Sequence, residues 1–171
     1  FASKIATDED LAQIHKIDLE AFGENYGIYA DFEDYKQDLE EQGVTTYAIK
    51  SADGKVVGYY QLEPVEDGEL YIYSMGVRED LRATRASVAI LDRIRTEIID
   101  TAVEQEIKTV ALDVYAENKP LVKLYKKFGF EIVDTVMVPK EEGMRCDHHM
   151  EIDVKKYLAE QAPETTKKQP E

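Results

Sequence analysis

The chain has 171 residues, 21 basic against 36 acidic, a net charge of −15, and a single cysteine, Cys146. That length suits one domain with an adequate core, and no apolar run approaches the roughly 20 residues that span a bilayer. A surface of this sign repels nucleic-acid phosphates and favours cationic partners, and a lone cysteine excludes an intramolecular disulfide and any multi-cysteine metal site. Such cysteine usage fits a reducing cytoplasm, the expected location. The first residues, Phe-Ala-Ser-Lys-Ile-Ala-Thr, hold no signal-peptide-like apolar region and no starting methionine, so an N-terminus that is either trimmed or incomplete is expected.

In chain order, Ser3 to Ala6 reads as a short strand, and Thr7-Asp8-Glu9-Asp10 supplies a helix cap followed by early acids. Leu11, Ile14, Ile17 (or Asp18) and Phe22 follow at helical spacing, with Gly23 as a stop. A loop with Tyr26 and Tyr29 leads to a second helix, Asp31 to Gln42. Thr45 to Ile49 and Val56 to Leu62 are strand-like, and Asp53-Gly54 between them is a strong hairpin signal.

After a polar turn, Leu70 to Val77 reads as a strand rich in aromatic and β-branched residues, with Gly76 suggesting a bulge or a close backbone approach. Period two puts Glu69, Tyr71, Tyr73 and Met75 on one face of it. A polar turn then feeds a long helix whose Val88, Leu91, Ile94, Ile98 and Ala102 share one side. The free amides at such a helix start attract anions, and Arg78, Arg82, Arg85, Arg93 and Arg95 crowd this part of an otherwise acidic chain. A local basic spot implies a local anionic ligand.

Thr109 to Val114 is a buried-type strand, and Asn118-Lys119-Pro120 opens a helix with Leu121, Leu124, Tyr125 and Phe128 inside and Gly129 at its end. Ile132 to Val138 and His148 to Val154 are two last strands, joined by a charged loop, Lys140 to Asp147. One domain, residues 1–158, is expected, with residues 159–171 as a disordered tail. The order β-α-α-β-β-β-α-β-α-β-β predicts an α/β (α+β) fold, a mixed and mostly antiparallel sheet flanked by helices on both faces.

This order resembles the GNAT-type acyl-CoA N-acetyltransferases. Asn118 to Phe130 is similar to the family's N-x-x-A-x-x-L-Y-x-K-x-G-F run, matching at Asn118, Leu124, Tyr125, Lys127, Gly129 and Phe130. Val77 to Ser87 resembles the family's pyrophosphate loop, V-x-x-x-x-[RQ]-x-x-G-x-[GA], with Val77 and Arg82 matching while Ala83, Arg85 and Ser87 replace glycines. The resemblance implies acetyl-CoA as co-substrate, with no metal. It implies cofactor contacts from Met75, Gly76, Val77, Arg82, Ala83, Thr84, Arg85, Ala86, Ser87, Asn118 and Tyr125, and Tyr125 as the proton donor to the departing thiolate. Glycine in such a loop lets phosphate approach the amides; Arg85 either pairs with phosphate or crowds it.

A neutral amine attacking a thioester must give up a proton, directly or through water. Glu69 is the candidate catalytic base, set against an ordinary solvated carboxylate, and Asp113 is the weaker one. Tyr26 and Tyr29 are the candidate acceptor-lining residues. His148 and His149 are adjacent and so face opposite sides of a strand, which argues against a paired metal site. The implied activity is acetyl transfer to a primary amine of a small molecule or peptide, with no nucleic acid or membrane partner and a possible homodimer. The alternative is a catalytically silent module of the same fold, either sensing acyl-CoA or binding a protein.

Overall fold

In the computed structural model the described residues are 1–21, 28–140 and 143–161. They form two compact units, residues 1–64 with 72–98 and residues 65–71 with 99 onward. No helix among the described residues is long and apolar enough to cross a membrane.

The first unit holds β1 (Ala2–Ile5), α1 (Asp8–Ala21), α2 (Phe32–Glu41), β2 (Thr45–Lys50), β3 (Val56–Leu62), most of β4 (Glu69–Val77) and the start of α3 (Arg85–Glu104). Its strands pair antiparallel in the order β1-β2-β3-β4. Helix α1 begins with a reciprocal cap. The Asp10 amide donates to Thr7 Oγ1 at 3.2 Å and the Thr7 amide donates to Asp10 Oδ2 at 3.0 Å. Asp10 is itself buried and bound to Lys50 at 2.6 Å, which ties the cap to β2. Phe22 and Gly23, the expected end of this helix, lie outside the described residues.

Helices cover both faces of these strands. From α1 and α2, Asp18 and Tyr35 bond to one face, through Tyr59, Gln61 and Ser74. From α3, Ile90 and Ile94 pack against the other face beside Gly58, and Glu97 accepts from Tyr60 at 2.8 Å. Of the expected face of α3, Ile94, Ile98 and Ala102 are buried, together with Ser87, Ile90 and Ile99, whereas Val88 is 69% exposed. The difference lies in the first turns, where packing against Gly58 buries Ile90 in place of Val88.

A second difference concerns β4. Gln61 pairs with Ser74 and Leu62 with Ile72, so Tyr73 is an extra residue opposite the β3 ladder. The bulge is therefore at Tyr73 rather than Gly76. It reverses the alternation: Ser74 and Gly76 join Tyr59 and Gln61 on the α1 side, and Met75 pairs with Tyr60 on the α3 side. Gly76 still marks a close approach, made by this protein's own Tyr59, whose ring would lie 3.0 Å from a Cβ there.

In the second unit, Glu69–Tyr71 of β4 run parallel to the start of β5 (Thr109–Tyr115). Beyond β5 come β7 (Gly143–Asp153) and β6 (Glu131–Lys140), both antiparallel pairings. Because β4 belongs to both ladders, the strand order is β1-β2-β3-β4-β5-β7-β6, a mixed sheet with one parallel pair. Helix α4 (Lys119–Phe128) starts on Asn118, whose side chain accepts from the Leu121 amide, and ends at left-handed Gly129.

The charged segment read as a loop is largely strand, with Lys140 paired to Gly143 and Met137 to Cys146. Alternating charge does not prevent pairing where both faces of a hairpin are wet. The last strand ends at Asp153, and Val154 opens a further helix, α5 (Val154–Gln161), that runs past the point where periodicity fades. Residues 162–171 of the expected tail lie outside the described residues.

Candidate functional site

In the first unit, β4 ends at Val77 and the chain passes through a 3-10 turn, Glu79–Leu81, before α3 begins at Arg85. Thr84 caps the helix, accepting from the Ser87 amide at 3.3 Å. The amides of Arg85 and Ala86 open the helix and have no acceptor within it. Ala83 sits at φ +63°, a left-handed conformation that costs an L-residue about 1 kcal/mol or more. The structure thus retains, at an alanine, the backbone angle that glycine adopts freely.

The five arginines divide by partner. Arg78 is spent on Asp80 at 2.6 Å, Arg93 on Glu97 at 2.8 Å, and Arg95 on Asp92. Arg85 is exposed, so its stem does not fill the turn. Arg82 folds back, donating from Nε to the Val77 carbonyl at 2.9 Å, and its Nη2 is buried with no hydrogen-bond partner among the described residues. A buried guanidinium donor left unmet, on a residue three positions before a helix start with free amides, fits an anionic oxygen of the phosphate kind. By this test the residues present suit the pyrophosphate of a CoA thioester. The broad basic spot narrows to Arg82 and Arg85.

Parallel pairing between β4 and β5 ends at Tyr71 and Ala111. From Ile72 to Val77 the described ladder of β4 is with β3. Met75 and Val77 are buried and Gly76 is half-buried.

In the second unit, Tyr125 is buried on the inner side of α4 with Val122 and Phe128, its ring edge-on to Phe130 at 6.1 Å. Asn118 is half-buried, and the cap it provides engages its carboxamide oxygen at 3.4 Å from the Leu121 nitrogen. Its carboxamide nitrogen is a donor that the cap does not use.

One face of the β4-β5-β7 ladder carries a polar cluster. Tyr71 donates to Asp113, and His149 bridges Asp113 at 3.0 Å from Nδ1 and Glu151 at 2.9 Å from Nε2. Glu69 is the fourth acid-base member: atoms of Glu69, His149 and Glu151 able to ligate a metal all lie within 4.8 Å of one another. Partial burial pushes the His149 pKa down, but the bonds and charges of Asp113 and Glu151 outweigh it and raise it above 6.5. His149 already satisfies the carboxylates it touches.

The two base candidates, Glu69 and Asp113, thus belong to one cluster, whereas Tyr125 sits on α4. His149 and Glu151 were not singled out from the sequence as partners, although their i, i+2 spacing on a strand was the available signal. Tyr26 lies outside the described residues. Tyr29 is exposed at its side chain, and its carbonyl meets His15 Nε2 at 2.6 Å.

Sequence reading also passed over a buried array in the first unit. Asp18 of α1 accepts hydrogen bonds from Tyr35 of α2 at 2.8 Å, from Tyr59 of β3, and from Ser74 of β4 at 3.1 Å. Its signal was a carboxylate sharing the apolar side of a helix with Ile14 and Ile17.

The model of the acetyltransferase (GNAT) family matches residues 11–130. An N-alpha-acetyltransferase of Sulfolobus acidocaldarius is 30% identical over 142 residues, 76% of this chain and 79% of that protein. Its counterpart from Sulfurisphaera tokodaii is 30% identical over 134 residues, 72% of this chain and 76% of that protein. Among solved structures, a spermidine N-acetyltransferase chimera from Vibrio cholerae and hSSAT superposes with a TM-score of 0.73 at 15% identity, covering 93% of this chain and 99% of that one. The ribosomal-protein-S18-alanine N-acetyltransferase of Escherichia coli gives 0.68 at 17% identity, over 90% and 93%. The fold, the family match over most of the chain and the relatives agree: the chain belongs to the GNAT acetyltransferase family and is an acetyltransferase enzyme.

Proposed function

We propose that the enzyme transfers the acetyl group of acetyl-CoA to the primary amine at a peptide or protein N-terminus, by direct attack of the amine on the thioester. The observation that carries the cofactor half is the buried Nη2 of Arg82, which has no partner among the described residues, in the turn that leads into α3. Arg82, the amides from Ala83 to Ser87 and the exposed Arg85 would hold the pyrophosphate. Asn118 would bind the pantetheine arm through its free carboxamide nitrogen, and backbone amides from Met75 to Val77 would polarise the carbonyl. Bound acetyl-CoA supplies an activated acyl carbon with a thiolate leaving group. Tyr125 would return a proton to that thiolate, whose ordinary pKa is close enough to a phenol's for the transfer.

The acceptor half rests on the two relatives at 30% identity, both named N-alpha-acetyltransferase, and on the acid-rich face. Glu69, Asp113 and Glu151 place three carboxylates around one histidine, and such a face draws a protonated amine before it is neutralised. Ala83 already has the backbone angle of the missing glycine, so the altered loop does not by itself favour a silent module.

The test is calorimetric titration of acetyl-CoA, followed by thiol release with a panel of N-terminal peptides, lysine peptides and polyamines. Micromolar cofactor binding with turnover of N-terminal peptides is the expected result. Turnover confined to polyamines or lysine side chains would overturn the acceptor. Binding absent from the unaltered chain but restored by Arg85→Gly would mean that Arg85 closes the site.

A further inference from the structure

The amine's proton needs a destination, and the first unit contains an acid that the scheme above leaves unused. We infer that Ser74 accepts this proton and passes its own to Asp18, making Ser74 a catalytic residue and Asp18 a positioning residue that acts through it. This inference rests on the acetyl-transfer reading.

Asp18 is fully buried, and the partners of its carboxylate are three hydroxyls, those of Tyr35, Tyr59 and Ser74. Among the described residues no lysine or arginine pairs with it. The groups facing it are His15 from its own helix, Tyr35 from α2, Tyr59 from β3, and Tyr73 and Ser74 from β4, with Gln61 bonded to Tyr35 and Asp38 to Tyr73 behind them. A buried carboxylate held by neutral hydroxyls is costly, and a neutral amide could accept from these hydroxyls without burying a charge. Burial pushes its pKa up, against the pull of the hydroxyls and of His15, which makes it a stronger base than a surface aspartate.

The array has one member that reaches the surface. Asp18, Tyr35, Tyr59 and Gln61 are buried, while Ser74 is half-buried. Ser74 faces Asp18 because of the extra residue Tyr73; regular alternation would have turned it toward α3. It immediately precedes Met75, the first of the residues proposed to polarise the carbonyl. Ser74 gives its hydrogen to Asp18 and lies 3.0 Å from the Tyr59 hydroxyl, which itself bonds to Asp18, so at least one lone pair of the serine oxygen is available to an incoming N–H.

The step balances. A bond forms between the amine nitrogen and the acetyl carbon while the carbon–sulfur bond breaks. The ammonium proton moves to Ser74 Oγ as the serine proton moves to Asp18 Oδ1, the thiolate takes a proton from Tyr125, and the Tyr125 phenolate regains one from solvent. Asp18 then returns its proton to solvent by the same route.

The experiment measures kcat and KM against pH for the unaltered enzyme, Ser74→Ala and Asp18→Asn, with acetyl-CoA affinity and melting temperature recorded alongside. The expected result for Ser74→Ala is a kcat lower by about 100-fold or more, unchanged acetyl-CoA affinity, and loss of the acidic limb of the pH profile. Asp18→Asn should show the same, and the double variant should lose little beyond either single one. Ser74→Ala decides the matter if Asp18→Asn fails to fold. A folded Ser74→Ala enzyme with less than about threefold loss and an intact acidic limb would overturn the relay while leaving acetyl transfer standing. An unaltered enzyme without turnover on any amine would overturn the acetyl-transfer reading, and the relay with it.

Discussion

A Cβ on Gly58 would lie 2.6 Å from Cγ2 of Ile90, so the side chain that β3 lacks is the space into which α3 settles. The same position would meet the Gly76 carbonyl oxygen at 3.3 Å, which closes the alternative of shifting toward β4. Both Ile90 and Ile94 are fully buried there. The helix that begins at the anion-binding turn is therefore seated by a glycine on the neighbouring strand.

Gly58→Ala should destabilise the protein by about 1–3 kcal/mol, the usual cost of overpacking a filled core. Ile90→Ala removes the obstructing methyl at the expense of a cavity. The double variant should then lose less than the sum of the two single losses, by about 1 kcal/mol. Urea denaturation of all four proteins measures the coupling, and strict additivity would contradict the contact.

At the turn itself, Ala83→Gly should gain about 0.5–1 kcal/mol of stability, the relief of a left-handed alanine net of the extra freedom glycine has when unfolded. Ala83→Val should lose stability, because a β-branched residue fits that region worse. Thermal melts of the two variants should move in opposite directions.

The arginines should separate by their partners. Arg82→Gln is expected to weaken acetyl-CoA about 10- to 100-fold, the range of one or two charge-assisted hydrogen bonds. Arg78→Ala should change affinity by less than about threefold, because its guanidinium is already committed to Asp80 and phosphate contacts are worth far more than an exposed pair. Titration calorimetry at fixed ionic strength makes the comparison, and equal losses in both variants would refute the assignment.

His149 gives the pH prediction. Its folded pKa is raised because Asp113 and Glu151 favour the charged ring more than partial burial opposes it. A raised pKa means that the stabilisation is complete below the unfolded value of about 6.5 and is lost as pH rises through the higher folded value. Proton NMR of the ring should show a midpoint above 6.5, and Asp113→Asn or Glu151→Gln should lower it. Stability curves should show the unaltered protein losing an increment over that window that His149→Gln does not lose.

Much of the architecture was legible in the residues. Thr7 with Asp10, Asp53-Gly54, and Asn118 with Gly129 mark helix ends and a hairpin through local backbone chemistry, and all appear where the sequence puts them. The resemblance of Asn118–Phe130 to a family motif led to the correct fold and enzyme class for the same reason, since a motif is a local arrangement. What the sequence alone determined was thus set by neighbours along the chain.

Tertiary structure decided the rest. Nothing local to Tyr73 announces a bulge, yet that one extra residue sends Met75 to the α3 side and brings Ser74 and Gly76 to Tyr59 and Asp18. That the first turns of α3 bury Ile90 and not Val88 depended on Gly58, far away on β3. Glu69 and Asp113 looked like separate candidates until the ladder of β4, β5 and β7 placed both with His149. Strand register and helix facing are fixed by packing between distant segments, and a period read along one strand is silent about a residue added opposite its partner.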